Sequence, residues 1–161
     1  MPGRVSHSPK YRQAQDYFRH VLSLDRRISS LEAEIERQQS RLALNGVEGG
    51  ERVSRTMEGD SLERGFVKLY DYCDALDTRL IEYVDERDRA ISTLDCLADG
   101  DMVQIVYLRY FEGVSFPAIH KMFAVGARPM SERKMYSLHE QAMCRLWHFI
   151  PPEYRQRKSV Q

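Results

Sequence analysis

Lys121, Arg128, Arg133 and Lys134, with the hydroxyls of Ser131 and Ser137, are the residues whose types and spacing most readily suggest recognition chemistry. Ser131 is placed to cap a helix through its side-chain oxygen. Arg133, Lys134 and Ser137 then fall opposite an apolar stripe of Met135, Leu138, Ala142, Leu146 and Phe149. Basic and polar side chains on the early turns of a capped helix can meet phosphate oxygens and base edges in a major groove, and the helix's N-terminal amides can add a phosphate contact. Solvated surface charge is the competing reading of each cation taken singly. Arg109 is read differently, as a structural residue tying the first helix of its segment to the last.

Other chemistries find little support. The five histidines, His7, His20, His120, His139 and His148, include no H-x-x-x-H pair or His/Cys spacing of a metal-binding helix. Cys73, Cys96 and Cys144 are far apart and sit in apolar helical patterns, which suggests reduced core residues. Trp147 and the tyrosines could stack on bases, but their helical spacing favours core packing. There is no phosphate-binding glycine loop, no G-x-S-x-G and no pair of carboxylates set against an obvious cleft. Asp71, Asp74, Asp77, Glu82 and Asp85 lie on one helical segment without a Glu-x-x-His pair, so they read as a solvated face. The expectation is a protein that is not an enzyme and needs no cofactor or metal.

The elements that must position these residues are helices. From Tyr11 to Leu44 apolar residues follow a heptad pattern, with Ala14, Val21, Ile28, Ile35 and Leu42 at one position, Tyr17, Leu24 and Leu31 at the other, and Gln38 breaking it. A second block sets Leu62, Phe66, Leu69, Cys73, Leu76, Leu80, Tyr83, Arg87, Ala90 and Leu94 in steps of four and three, beginning at a capping-box-like Asp60/Glu63 pair. The glycine-bearing stretch Asn45–Gly59 between them reads as a flexible connection. Val21, Leu24, Ile28, Leu31 and Ile35 would face Leu69, Leu76 and Leu80. An intramolecular antiparallel hairpin and a dimeric coiled coil fit that seam almost equally.

Charge follows the same division. The 161 residues carry no net charge, and charged residues make up 30% against 42% apolar, a balance that suits long amphipathic helices. Residues 1–46 hold eight basic against five acidic residues, residues 47–100 seven against fourteen, and residues 101–161 nine against five. A basic C-terminal block beside an acidic middle block is compatible with an end that contacts nucleic acid and a support that does not. No apolar run approaches the ~18 residues of a membrane span, and Arg4, His7 and Lys10 precede no apolar leader stretch, so a cytoplasmic protein is expected.

After Leu97–Asp101 the pattern shortens. Met102–Phe111 predicts a first helix, closed at Gly113 by a left-handed cap. Ser115 is expected to cap the next helix through its hydroxyl, with Pro117 in the first turn and Phe116, Ile119, Met122 and Phe123 as its apolar face. The last helix is expected from Ser131 to about Phe149, where Pro151-Pro152 would impose an extended chain.

Within this segment Leu108-Arg109-Tyr110-Phe111-Glu112-Gly113, Ser115 and Ile119 resemble the "LRYFEG-S-x-x-x-I" run of sigma factor region four. Ser131, Met135, Leu138, His139, Ala142 and Leu146 resemble the "S-x-x-x-V-x-x-L-H-x-x-A-x-x-x-L" spacing of its recognition helix, and the match implies that His139 packs or hydrogen-bonds within the domain. With the two-helix block, the layout over residues 14–150 is similar to a phage-borne family of sigma-like proteins, related in architecture to RinA/ArpU-type regulators. The resemblance implies that the last helix reads promoter DNA, which carries over to Ser131, Glu132, Arg133, Lys134 and Ser137. Two departures stand out: Val125–Met130 is longer than the usual turn, and Ala118-Ile119-His120 replaces the familiar Glu-Ile-Ala. The enlarged turn would change the angle of the last helix or carry Arg128 onto the backbone of the duplex.

The expected architecture is therefore all-α: a flexible tail (1–10), a long antiparallel helical hairpin (11–98, linker 45–59), a sigma-region-four-like helix-turn-helix domain (101–150) and a C-terminal tail (151–161). The expected partners are double-stranded DNA, and RNA polymerase or a second copy of the chain through the helical arm, with no membrane, in the cytoplasm of a bacterial host. Two other roles fit the same layout: a small terminase-like DNA-packaging subunit, and a protein-interaction adaptor without DNA contact.

Overall fold

The computed structural model describes residues 8–48, 59–126 and 128–156, and among them every regular element is a helix. Helix α1 spans Pro9–Glu48 and α2 spans Gly59–Ser92, continued by a 3₁₀ turn at Thr93–Cys96. Four helices follow: α3 (Gly100–Tyr110), α4 (Phe116–Val125), α5 (Glu132–Leu146) and the single turn α6 (Pro152–Arg155). No described helix is long and apolar enough to cross a membrane.

Several boundaries differ from the sequence expectation. Helix α1 carries on through Asn45 and Gly46 to Glu48, because one glycine costs a helix only about 1 kcal/mol. The rest of the expected linker, residues 49–58, lies outside the described residues, as do the side chains of Leu42, Asp60 and Leu62. Of the two C-terminal prolines, Pro151 is extended at ψ 143°, as expected, but Pro152 opens α6, where a missing N–H costs no intrahelical bond.

Packing divides the chain into two compact units, residues 1–25 with 86–161 and residues 26–85. In the second unit Ile35, Cys73 and Leu76 are buried, Ile28, Leu31, Leu69 and Leu80 half-buried, and the Arg27 guanidinium lies 5.9 Å from the Tyr83 ring. Gln38, the break in the heptad, is buried and donates its amide hydrogen to Glu34 Oε1 at 2.5 Å, which spares it the cost of an unmet polar group.

The first unit holds the larger core. Tyr11, Ala14, Tyr17, Phe18 and Val21 of α1 pack with Ala90, Leu94, Met102, Ile105, Tyr110, Ile119, Met135, Ala142 and Leu146. Leu24 of α1 is buried in the same unit. Each large apolar side chain removed from water here contributes roughly 1.5–3 kcal/mol. Two side-chain contacts fasten α1 to α2 inside this unit, a His20–Glu86 hydrogen bond at 2.9 Å and an Arg87–Asp25 ion pair at 2.6 Å. Asp25 thus answers the charge of Arg87, the polar residue in the second apolar block. All four side chains are partly exposed, so these pairs contribute at most about 1 kcal/mol each.

Candidate nucleic-acid interface

The site begins with the caps that fix α3, α4 and α5. Asp99 accepts a hydrogen bond from the Asp101 amide at 2.9 Å and starts α3. At its other end the Val114 amide donates to the Leu108 carbonyl at 2.9 Å while Gly113 turns the chain with φ +69°. A Cβ on Gly113 would meet only Leu22 at 3.5 Å, so the backbone angle and not crowding favours glycine. Ser115 occupies the N-cap of α4 but its hydroxyl makes no capping bond there, contrary to the sequence expectation. Pro117 in the first turn leaves fewer amides needing one. Ser131 does cap α5, its Oγ accepting from the Lys134 amide at 3.2 Å.

Arg109 has the structural role expected of it, with a different partner. Its Nη1 donates to the Val114 carbonyl at 3.3 Å and its guanidinium lies 5.1 Å from the Phe116 ring. It therefore fastens α3 to the turn that opens α4, not to α5. The link to α5 runs through His139, which is buried. Its Nε2 lies 3.0 Å from Tyr110 Oη on α3, its Nδ1 3.5 Å from Tyr11 Oη on α1, and Phe116 of α4 packs edge-on to its ring at 4.9 Å. One imidazole thus touches an aromatic side chain from each of three other helices. Burial pushes the Tyr110 phenol, and separately that of Tyr17, up to about 12. Both stay neutral and keep their hydrogen-bonding protons at ordinary pH.

The turn before α5 is held by His120, whose Nε2 lies 3.1 Å from the Met130 carbonyl, and by Met130, which is buried. A carbonyl can only accept, so Nε2 carries the hydrogen. The His120 side chain thus pins the connection between α4 and α5. The pairing of His120 with Met130 depends on an approach between α4 and the turn that no local pattern encodes.

Against this frame α5 turns Met135, Leu138, His139, Ala142, Met143 and Leu146 inward. Phe149 does not extend the stripe: α5 ends at Leu146, and Phe149 is exposed while Ile150 is buried instead. Trp147 is half-buried, its Nε1 donating to Gln13 Oε1 at 2.7 Å with Lys10 over its ring at 4.7 Å. It fastens α1 to the end of α5 and is not an open stacking platform.

All seven candidate contact residues, Lys121, Arg128, Ser131, Glu132, Arg133, Lys134 and Ser137, are exposed. Glu132 to Ser137 share the first turns of α5, where the Ser137 hydroxyl accepts from the Gln141 amide at 3.2 Å. Lys121 follows His120 on α4 and Arg128 lies in the pinned turn. None of the ion pairs among the described residues involves Lys121, Arg128, Arg133 or Lys134, and Glu132 is the carboxylate exposed beside Arg133 on the same turn. Tyr136, 43% exposed, lies 5.1 Å from Phe116 between these elements. Among the described residues there is no group of three or more metal-ligating side chains, and no disulfide joins Cys73, Cys96 or Cys144.

Comparison with known protein families, curated proteins and solved structures finds no match.

Proposed function

We propose that this chain is a non-enzymatic, sigma-factor-like DNA-binding transcription regulator of phage or mobile-element type. Helix α5 is its recognition helix, α4 its supporting helix, and the paired parts of α1 and α2 form a helical hairpin that dimerises or docks on RNA polymerase in the bacterial cytoplasm. The observation that carries the reading is the two-sided α5: an inner face locked by Met135, Leu138 and His139, and an outer, capped first turn bearing Arg133 and Lys134 with no ion-pair partner among the described residues. A helix so anchored can enter a major groove without rearranging, because its orientation is already fixed by its buried side.

Roles follow from chemistry. Arg133 is suited to bidentate contact with a guanine edge, Glu132 to accepting from a cytosine amine, and Ser131 and Ser137 to phosphate or base contact. Lys121 and Arg128 supply phosphate contacts that orient the protein on the duplex. Arg133→Ala is expected to weaken binding to the preferred duplex by ~1–3 kcal/mol and to relax base preference at one position, whereas Lys121→Ala weakens binding to all sequences alike. Equilibrium titration of both variants against preferred and scrambled duplexes checks this. Unchanged affinity in both would remove α5 from the role of recognition helix.

A further inference from the structure

Within the second unit, α2 carries a second apolar stripe beside the inner one. Val67, Tyr70, Ile81 and Val84 are exposed at 54%, 60%, 61% and 37%. At 3.6 residues per turn these four share one face, and the positions that complete the spacing between them are Asp74 and Asp77, both exposed. The cations of this stretch, Lys68 and Arg79, fall roughly 150° or more around the helix from the middle of the stripe. The face thus reads apolar, acidic, apolar over about 25 Å, with basic residues kept off it.

Single exposed apolar residues need no explanation, but four at helical spacing form the pattern by which one helix anchors another. Charge selects the occupant. Duplex DNA is repelled by Asp74 and Asp77. A second copy meeting this face through a twofold axis would bring Asp74 and Asp77 against their own duplicates while removing them from water, which is costly. A helix with Lys or Arg opposite the aspartates satisfies both halves of the pattern. We infer that Val67, Tyr70, Ile81 and Val84, with Asp74 and Asp77 between them, form a docking face for a helix of another protein that carries basic residues between two apolar pairs. This face lies wholly in residues 26–85, and the inference does not rest on DNA reading.

The test uses the full-length protein and a fluorescein-labelled amphipathic peptide with leucines at the four outer positions and lysines at the two central ones. Its counterpart has glutamates at the centre. By fluorescence anisotropy the lysine peptide should bind at least about tenfold more tightly than the glutamate peptide, less so at high salt. Asp74→Lys/Asp77→Lys should reverse that preference, and Ile81→Ser should abolish binding with the helical circular dichroism unchanged. No binding of the lysine peptide, equal binding of both peptides, or an unreversed preference overturns the inference. So does sedimentation showing a dimer that Ile81→Ser dissolves, since the occupant would then be a second copy. Duplex binding measured alongside distinguishes failure of this docking face from failure of the DNA reading.

Discussion

At the level of single residues, His139 and His120 do the positioning that the cations depend on. His139 meets Tyr110 and Tyr11 in the core, and His120 holds the carbonyl of Met130 ahead of α5. Burial keeps the Tyr17 and Tyr110 phenols protonated up to about 12, whereas in the unfolded chain they ionise near their ordinary value of 10.0. The folded state therefore holds more protons between those values. Their contribution to stability is intact below the lower value and is lost as pH rises through the interval. Denaturant unfolding across that range should show stability falling, and Tyr110→Phe should make the fall shallower. The same variant should lose about 1–3 kcal/mol at neutral pH, because the bond to His139 Nε2 is gone. An alkaline profile identical to that of the unaltered chain would show that the Tyr110 phenol is not shielded as described. Of these roles, the packing of His139, which is buried, inside its domain was expected from the family position it resembles. Its phenolic partners were not, since Tyr11 and Tyr110 are brought to it by packing across 128 and 29 residues of chain.

At the level of elements, periodicity located the helices well and their ends less well. The α3, α4 and α5 segments follow from Asp99, Gly113, Pro117 and Ser131, each acting through its own backbone or side chain. Two of the misplaced ends have a common cause. Gly46 and Pro152 are local signals that a helix can absorb, the one in mid-helix and the other in a first turn. Ser115 shows the converse, a residue in the capping position whose hydroxyl makes no capping bond. Ser131 and Ser115 should therefore differ on substitution. Ser131→Ala should cost ~1 kcal/mol in thermal or denaturant unfolding, and Ser115→Ala a few tenths at most. Equal losses at the two positions would mean that the hydroxyl bond to the Lys134 amide contributes nothing to α5.

At the level of the whole molecule, the all-α class was legible throughout, but the membership of the main core was not. A heptad pattern predicts that a helix has a buried seam without saying what fills it. Ala14, Tyr17 and Val21 fit the first seam, and they pack with α3, α4 and α5 side chains in the first unit. The segmental charge likewise pointed to a basic C-terminal block, yet only the structure places Lys121, Arg128, Arg133 and Lys134 on exposed positions without ion pairs among the described residues. That surface is the centre of the proposal. The measurement that tests it most directly is retention and sequencing of a random duplex DNA pool by the purified full-length protein at two salt concentrations. An enriched motif, with affinity falling steeply as salt rises and lost in Arg133→Ala/Lys134→Ala, is the predicted result. No retention of duplex at low salt would contradict the account and leave the protein-binding role as the one the fold serves.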